Sequence, residues 1–283
     1  MPQELELKLT LTPEALEIAH DWLGRQEQSS HGKTRTLINQ YYDTPAADLN
    51  RQRAALRVRQ TGDGFIQTLK SRGDFEKGAH RREEHEWNLS TPELDTGLLV
   101  DTPVSEKLDL TKLAPVFKTD FQRRILMVDD GEAVIECAFD SGVIRAGSRE
   151  LALHELELEL KSGGEQRLLH WATQIAGQVP VFLNLISKAE QGYYHAGLRK
   201  PGLPDAPEAL ERLLRGLSVC WLTGEDTRPL AEALDLLRDR AECSDLLAEW
   251  QWLRQKLEAG VRPDELMNNP DLGRLQLGLL SDR

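Results

Sequence analysis

Residues 4–9 read ELELKL. Glu4, Glu6 and Lys8 alternate with Leu5, Leu7 and Leu9, a period of two that puts leucines on one face of a β-strand and charges on the other. The pattern returns in ELELELK, residues 155–161, where Glu155, Glu157, Glu159 and Lys161 oppose Leu156, Leu158 and Leu160. ALRVRQ sets Arg57 and Arg59 on one face. RREEHEWNL sets Arg82, Glu84 and Glu86 opposite Trp87 and Leu89, and Lys70 ends the strand FIQTLK. One charged strand face is ordinarily a solvated face. Several strands that stack like charges at successive outward positions need something to neutralise them, because like charges side by side cost free energy.

A divalent cation would neutralise the glutamates, and a polyphosphate the arginines and lysines. Both are served by a closed antiparallel barrel with a charged lumen. Its leucine faces then turn outward under helices, the inverse of a small barrel packed with apolar side chains. LTPEALEIAHDWLG supplies one such helix, with Thr12 as N-cap, Pro13 in the first turn and Gly24 at the C-cap. GEQRLLHWATQIAG, residues 164–177, supplies another. Strand patterns dominate to about residue 161: TRTLINQYYDT, AALRVRQT, FIQTLKS, RREEHEWNL, FQRRILMV, AVIECAFD, GVIRAG and ELALHELELELK. Turn signals separate them at 62–64, 129–132, 141–142 and 146–148. Short helices are expected near 46–52 and 104–113, and another in SKAEQGYYHAGL.

The segment RKPGLPDAP, residues 199–207, contains three prolines and reads as a linker. Beyond it EALERLLRGLSVCWL, RPLAEALDLLRDRAE and SDLLAEWQWLRQKLEAG space their leucines as helices do. The expected class is α+β: a barrel domain over 1–200, then a small all-α region over 207–283.

The chain has 283 residues and a formal net charge of −12, which argues against a nucleic-acid-binding surface. A polyanion would have to be met by a local basic cluster. No apolar run approaches a membrane span, and the acidic N-terminus has neither the basic nor the apolar region of a secretory signal. Cys137, Cys220 and Cys243 are odd in number and widely spaced, which fits neither a disulfide framework nor a zinc site; a cytoplasmic location is expected.

ELELK at the N-terminus resembles the E-x-E-x-K signature of the CYTH, or triphosphate tunnel metalloenzyme, superfamily. YYDTPAADL, ALRVRQ, QTLK, RREEHE, TDFQRR, IECAFDSGVI, ELELELKSG and SKAEQGY follow in the family's order, over about residues 1–200. The nearest subgroup is similar to bacterial inorganic triphosphatases. The resemblance implies an eight-stranded antiparallel tunnel that hydrolyses inorganic triphosphate to pyrophosphate and phosphate with Mg2+ or Mn2+. It implies that Glu4 and Glu6 hold metal or activate water, and that Lys8 contacts phosphate. Arg57, Arg59, Lys70, Arg82 and Arg123 would bind the triphosphate chain, Lys161 and Lys188 would add positive charge, and Asp140, Glu157 and Glu159 would complete the metal site. The same fold also admits an organic triphosphate, hydrolysed or cyclised, or a non-catalytic grip on polyphosphate. Glu4, Glu6, Glu157 and Glu159 speak against the last, since an anion binder has no use for them.

Other conspicuous residues have structural readings. Tyr41, Tyr42 and Asp43 shape a strand end, Cys137 is a small buried hydrophobe, and Trp250 and Trp252 pack a helix. His80 and His85 lack a ligand-spaced partner. Gly62, Gly64 and Gly78 are turn glycines, with no P-loop lysine after them. The helical tail departs from the long, histidine-rich CHAD domain that follows in the subgroup: all seven histidines lie at or before His195. Packing is its expected role.

Overall fold

Alternation in the strands becomes a two-sided wall. The computed structural model describes residues 3–62, 64–70, 74–76, 79–203 and 208–281. Its strands are β1 (Gln3–Thr10), β2 (Ser29–Asp43), β3 (Ala55–Thr61), β4 (Gly64–Lys70), β5 (Asp74–Glu76), β6 (Ala79–Leu89), β7 (Ala114–Asp129), β8 (Ala133–Ala146), β9 (Arg149–Gly163) and β10 (Phe182–Leu183). They run in the spatial order β10-β1-β9-β8-β7-β2-β3-β4-β6-β5, and β1 also pairs with β6. That pairing, Glu4 opposite Arg82 and Glu6 opposite His80, closes eight antiparallel strands into a barrel. The fold is the α+β architecture expected from the charged strands.

Leu5, Leu7 and Leu9 are buried on the outside of the barrel, with Cys137, Phe139, Leu156 and Leu158 of neighbouring strands. Two helices cover them. α1 (Pro13–Gly24) contributes Leu16, Ala19 and Leu23, and the Thr12 hydroxyl accepts the Ala15 N–H at 3.2 Å to cap it. A short α2 (Asp48–Arg51) follows β2, and α3 (Gln166–Ala176) adds Leu168, Trp171, Ala172 and Ile175 to the cover. α4 (Lys188–His195) begins in a complete capping box between Ser187 and Glu190. The buried Asp43 carboxylate accepts the backbone N–H groups of Thr44, Leu49 and Asn50 and the Tyr193 hydroxyl, so it organises the strand end.

Several elements differ from the expectation, among them the unforeseen β5. AVIECAFD and GVIRAG form one continuous strand, β8, through the predicted turn at 141–142. Gly142 sits there because a Cβ would come within 2.4 Å of the Phe121 Cα on β7. The two-residue β10 carries no pattern of its own and pairs with Leu9 and Thr10. The region 104–113 holds short 3₁₀ turns instead of an α-helix. The tail forms α5 (Ala209–Thr223), α6 (Ala231–Asp235), α7 (Arg238–Cys243), α8 (Leu247–Glu258) and the unforeseen α9 (Pro263–Leu266) and α10 (Pro270–Gly278). The second predicted tail helix is thus broken between α6 and α7, although Ala233, Leu234, Leu237 and Ala241 keep a helical spacing of buried side chains across the break. Trp250 packs in this bundle and donates to the Leu234 carbonyl at 2.8 Å. Gly78 and residues 204–207 of the predicted linker lie outside the described residues. None of the helices among the described residues is long and apolar enough to cross a membrane.

Candidate active site

The inward face of the barrel encloses a cavity of about 240 Å³. Strand register decides what lines it. Glu6 of β1 stands opposite Glu159 of β9, which stands opposite Glu136 of β8, so three carboxylates form a row across three strands. One step along, Lys8 faces Glu157. A further step brings Thr10, Glu155, Asp140 and Arg123 into line across β1, β9, β8 and β7. The far wall holds Arg57 and Arg59 of β3, Lys70 of β4, and Glu84 and Glu86 of β6.

One end of the lumen is a dense ion-pair network. Arg123 donates from Nε and Nη2 to the two Asp140 oxygens, each at 2.7 Å, and from Nη2 to Glu157 at 2.5 Å. Lys188, the first residue of α4, places its ammonium 2.9 Å from Asp140 and 2.7 Å from both Glu155 and Glu157. Gln191 donates to the other Glu155 oxygen at 2.9 Å. Burial opposes every charge here, yet Lys188, Arg123 and Lys8 hold the Glu157 carboxyl well below its ordinary range. Asp140, Glu155 and Glu157 in turn hold the Lys188 ammonium well above its own, against the same burial penalty.

The basic wall is less well neutralised. Glu84 lies 3.7 Å from Arg57 and 3.3 Å from Lys70. Among the described residues the buried Arg57 Nε has no hydrogen-bond partner. Arg59 donates its Nε to the neutral Asn39 Oδ1 at 2.7 Å, and among the described residues it makes no ion pair. Burial, with Arg57 and Arg123 close by, pulls its pKa down to about 9. A guanidinium so placed gains from any anion that enters.

Of the residues expected at a site, Glu6, Lys8, Arg57, Arg59, Lys70, Arg123, Glu157, Glu159 and Lys188 line this one cavity. Asp140 lies behind it, fully buried between Arg123 and Lys188. Lys161 stands at its edge, 2.7 Å from Glu159 and 3.8 Å from Glu136. The side chains of Glu4, His80 and Arg82 lie outside the described part of the chain. Sequence reasoning put Glu84, Glu86 and Glu155 on charged strand faces without giving them a role in the site, and it passed over Glu136 and Asn39. Glu136 was within reach, since it is four residues before Asp140 on one strand and must share its face. Among the described residues no three acidic, histidine or cysteine side chains already converge as a metal cage. A larger recess of about 840 Å³, lined by Leu5, Leu168, Leu277 and Leu280 among others, lies outside the barrel between α3 and α10 and brings no comparable charge cluster together.

An inorganic triphosphatase of Haemophilus influenzae is 35% identical over 194 residues, which are 68% of this chain and 55% of that protein. The chain therefore spans about half the length of that curated relative. A solved Hippeastrum protein, named an adenylyl cyclase and described with a dominant triphosphatase activity, is 22% identical with a TM-score of 0.49, over 69% of this chain and 96% of its own. A Bacillus halodurans protein named an adenylate cyclase is 17% identical with a TM-score of 0.46, over 68% of this chain and 98% of its own. The CYTH domain model matches residues 2–193. From the first strand of the barrel to the helix that delivers Lys188 into it, the chain belongs to the CYTH domain family.

Proposed function

We propose that the chain hydrolyses inorganic triphosphate to pyrophosphate and phosphate inside the barrel, with Mg2+ or Mn2+ as the metal. The observation that carries this reading is the basic wall, where among the described residues the Arg57 Nε has no hydrogen-bond partner and Arg59 makes no ion pair, facing a row of three carboxylates. The 35% identity to a named inorganic triphosphatase supports it.

Arg57 and Arg59 offer planar forks of donors to phosphate oxygens, Arg123 offers the edge its bonds to Asp140 and Glu157 leave over, and Lys8 and Lys70 offer point charges. A linear polyanion is the ligand class that suits a lumen lined by all five. Phosphoryl transfer needs positioning and charge neutralisation more than covalent chemistry, and fixed cations in a low-dielectric lumen provide both. The carboxylate row is an all-oxygen donor set, which suits a hard divalent cation. Glu6, Glu136 and Glu159 would hold it. Bound there, such a cation supplies charge to the phosphate oxygens and lowers the pKa of a bound water. Asp140 would reach a cation only by giving up Arg123 or Lys188. Its part in this reading is to set those two cations, while Lys161 extends the rim.

The test is phosphate release by the purified protein from inorganic triphosphate, ATP and thiamine triphosphate, each with Mg2+ or Mn2+. Rapid metal-dependent release from triphosphate alone is expected. Turnover only of an organic triphosphate would keep the lumen and replace the substrate, and binding with no turnover would make the barrel a grip. Glu6→Gln should remove hydrolysis and leave triphosphate affinity measurable; turnover near the wild-type rate would refute the carboxylate row.

A further inference from the structure

Lys188 is delivered by a continuous segment, β10 through α4, that is bonded on two sides. On the barrel side, β10 pairs with β1, the Asn184 N–H donates to the Lys8 carbonyl at 3.0 Å, and the Asn184 amide donates to Thr10 Oγ1 at 3.0 Å. On the other side stand three polar residues of the C-terminal helices. Gln276 of α10, fully buried, accepts the Leu183 N–H at 2.9 Å and donates to its carbonyl at 3.1 Å. Ser218 of α5 accepts the Leu185 N–H at 3.0 Å. Arg215, on the same face of α5 three residues earlier, donates to the Leu185 carbonyl at 2.6 Å and pairs through its other nitrogen with Glu190.

Glu190 links the tail to the lumen. One of its oxygens takes Arg215. The other accepts the Ser187 N–H at 3.0 Å and the Ser187 hydroxyl at 3.0 Å, closing the capping box. The residue after that cap is Lys188, whose ammonium sits among Asp140, Glu155 and Glu157. Apolar packing alone would attach the tail without fixing the direction of this segment. Directional bonds to the backbone of Leu183 and Leu185 and to the cap of α4 fix it.

We infer that the C-terminal helices are a clamp on the segment that carries Lys188, and that Arg215 is the positioning residue through which they set that ammonium in the lumen. The inference rests on the proposed reading of the lumen as a triphosphate site. It gives the tail a role in the chemistry without placing any tail residue against substrate.

The test uses the full chain with Arg215→Ala, Arg215→Lys and, as a control, Arg254→Ala, which removes a tail arginine paired with Asp235 on the bundle surface. Amide hydrogen exchange is followed over residues 185–195 without ligand. Affinity is then measured with inorganic triphosphate alone in metal-free buffer, and KM and kcat with metal. Arg215→Ala should speed exchange in that segment and weaken triphosphate binding about tenfold, the equilibrium equivalent of one charge-assisted hydrogen bond. KM should rise by more than kcat falls, Arg215→Lys should recover most of the loss, and Arg254→Ala should move neither readout. Unchanged exchange in Arg215→Ala, or equal loosening by Arg254→Ala, would overturn the clamp. If Arg215→Ala does not fold, Glu190→Gln weakens the same pair while keeping an acceptor for the cap, and it is held to the same outcomes. A wild type that binds no triphosphate refutes the lumen reading, and the exchange experiment still decides the clamp.

Discussion

Arg59 stands beside two other guanidinium groups and bonds to an amide where a carboxylate would be expected. Its pKa, lowered by burial to about 9, means that the folded chain holds that proton less tightly than the unfolded chain does. The charged form therefore destabilises the empty fold at every pH below about 9, and stability recovers only as pH rises from there toward the ordinary arginine range. Arg59→Leu should accordingly raise the stability of the empty protein at pH 7 by about 1 kcal/mol while abolishing triphosphate binding. Urea denaturation with and without inorganic triphosphate checks both halves, and a destabilised Arg59→Leu chain would show that the guanidinium is neutralised by something else. Glu157 has the opposite sign. Its carboxyl is held well below 4.5, so the stability it contributes is complete above that value and is lost as pH falls through the folded-state pKa. Glu157→Gln should therefore flatten the acid limb of the stability profile; an unchanged limb would sink this account. The charges of the lumen were legible in the sequence because strand parity assigns faces. Their partners were not. Whether a carboxylate meets a metal or an ammonium depends on cross-strand register and on where α4 enters, and Asp140 shows the difference: its alternation was visible, its enclosure by Arg123 and Lys188 was not.

At the scale of the element, β1, β8 and β9 work because each is apolar on the outside and charged on the inside. Leu7 is 2% exposed under α3, so Leu7→Ala should cost about 2–5 kcal/mol by denaturant unfolding, and Leu7→Asp should give no soluble protein. Soluble, active Leu7→Asp would mean that the faces are assigned the wrong way round. Gly142 makes a second case. A methyl group there would meet the Asp120 carbonyl oxygen at 2.2 Å, so Gly142→Ala should force β7 and β8 apart two residues from the Arg123–Asp140 pair. Loss of stability together with weakened triphosphate binding is expected from a melt and a titration on the same variant. The glycine was visible in the sequence, but its reason was not. A glycine followed by a new apolar run looks like a turn from one chain, and only the neighbouring backbone shows it to be a close approach. β10 was missed for a related cause: two residues carry no period, and its pairing is dictated by β1 and by the Gln276 side chain far along the sequence.

At the scale of the whole molecule, the proposed units before and after residue 200 are distinct in pattern and joined in packing. Phe182 of β10 is buried in the core of the tail bundle with Leu213, Leu217 and Leu275. Leu214, Leu277 and Leu280 of the tail are buried in the core on the outside of the barrel. Each unit thus completes the hydrophobic cover of the other, and neither can open without exposing apolar surface. Two units coupled in this way should unfold together, so calorimetry should show one transition with a calorimetric enthalpy equal to the van't Hoff value. Saturating triphosphate, at about 100 times its Kd, should shift that single transition by an amount corresponding to about 2.7 kcal/mol. The alternative is a tail that docks weakly. It would give two transitions, of which only the barrel's responds to the ligand, and it would remove the means by which Arg215 could hold the segment that carries Lys188. A chain cut after residue 200 probes the same coupling from the other side: with Phe182 stripped of its cover, it should be recovered mainly insoluble, and a soluble barrel that binds triphosphate at full strength would show that the tail contributes neither fold nor clamp.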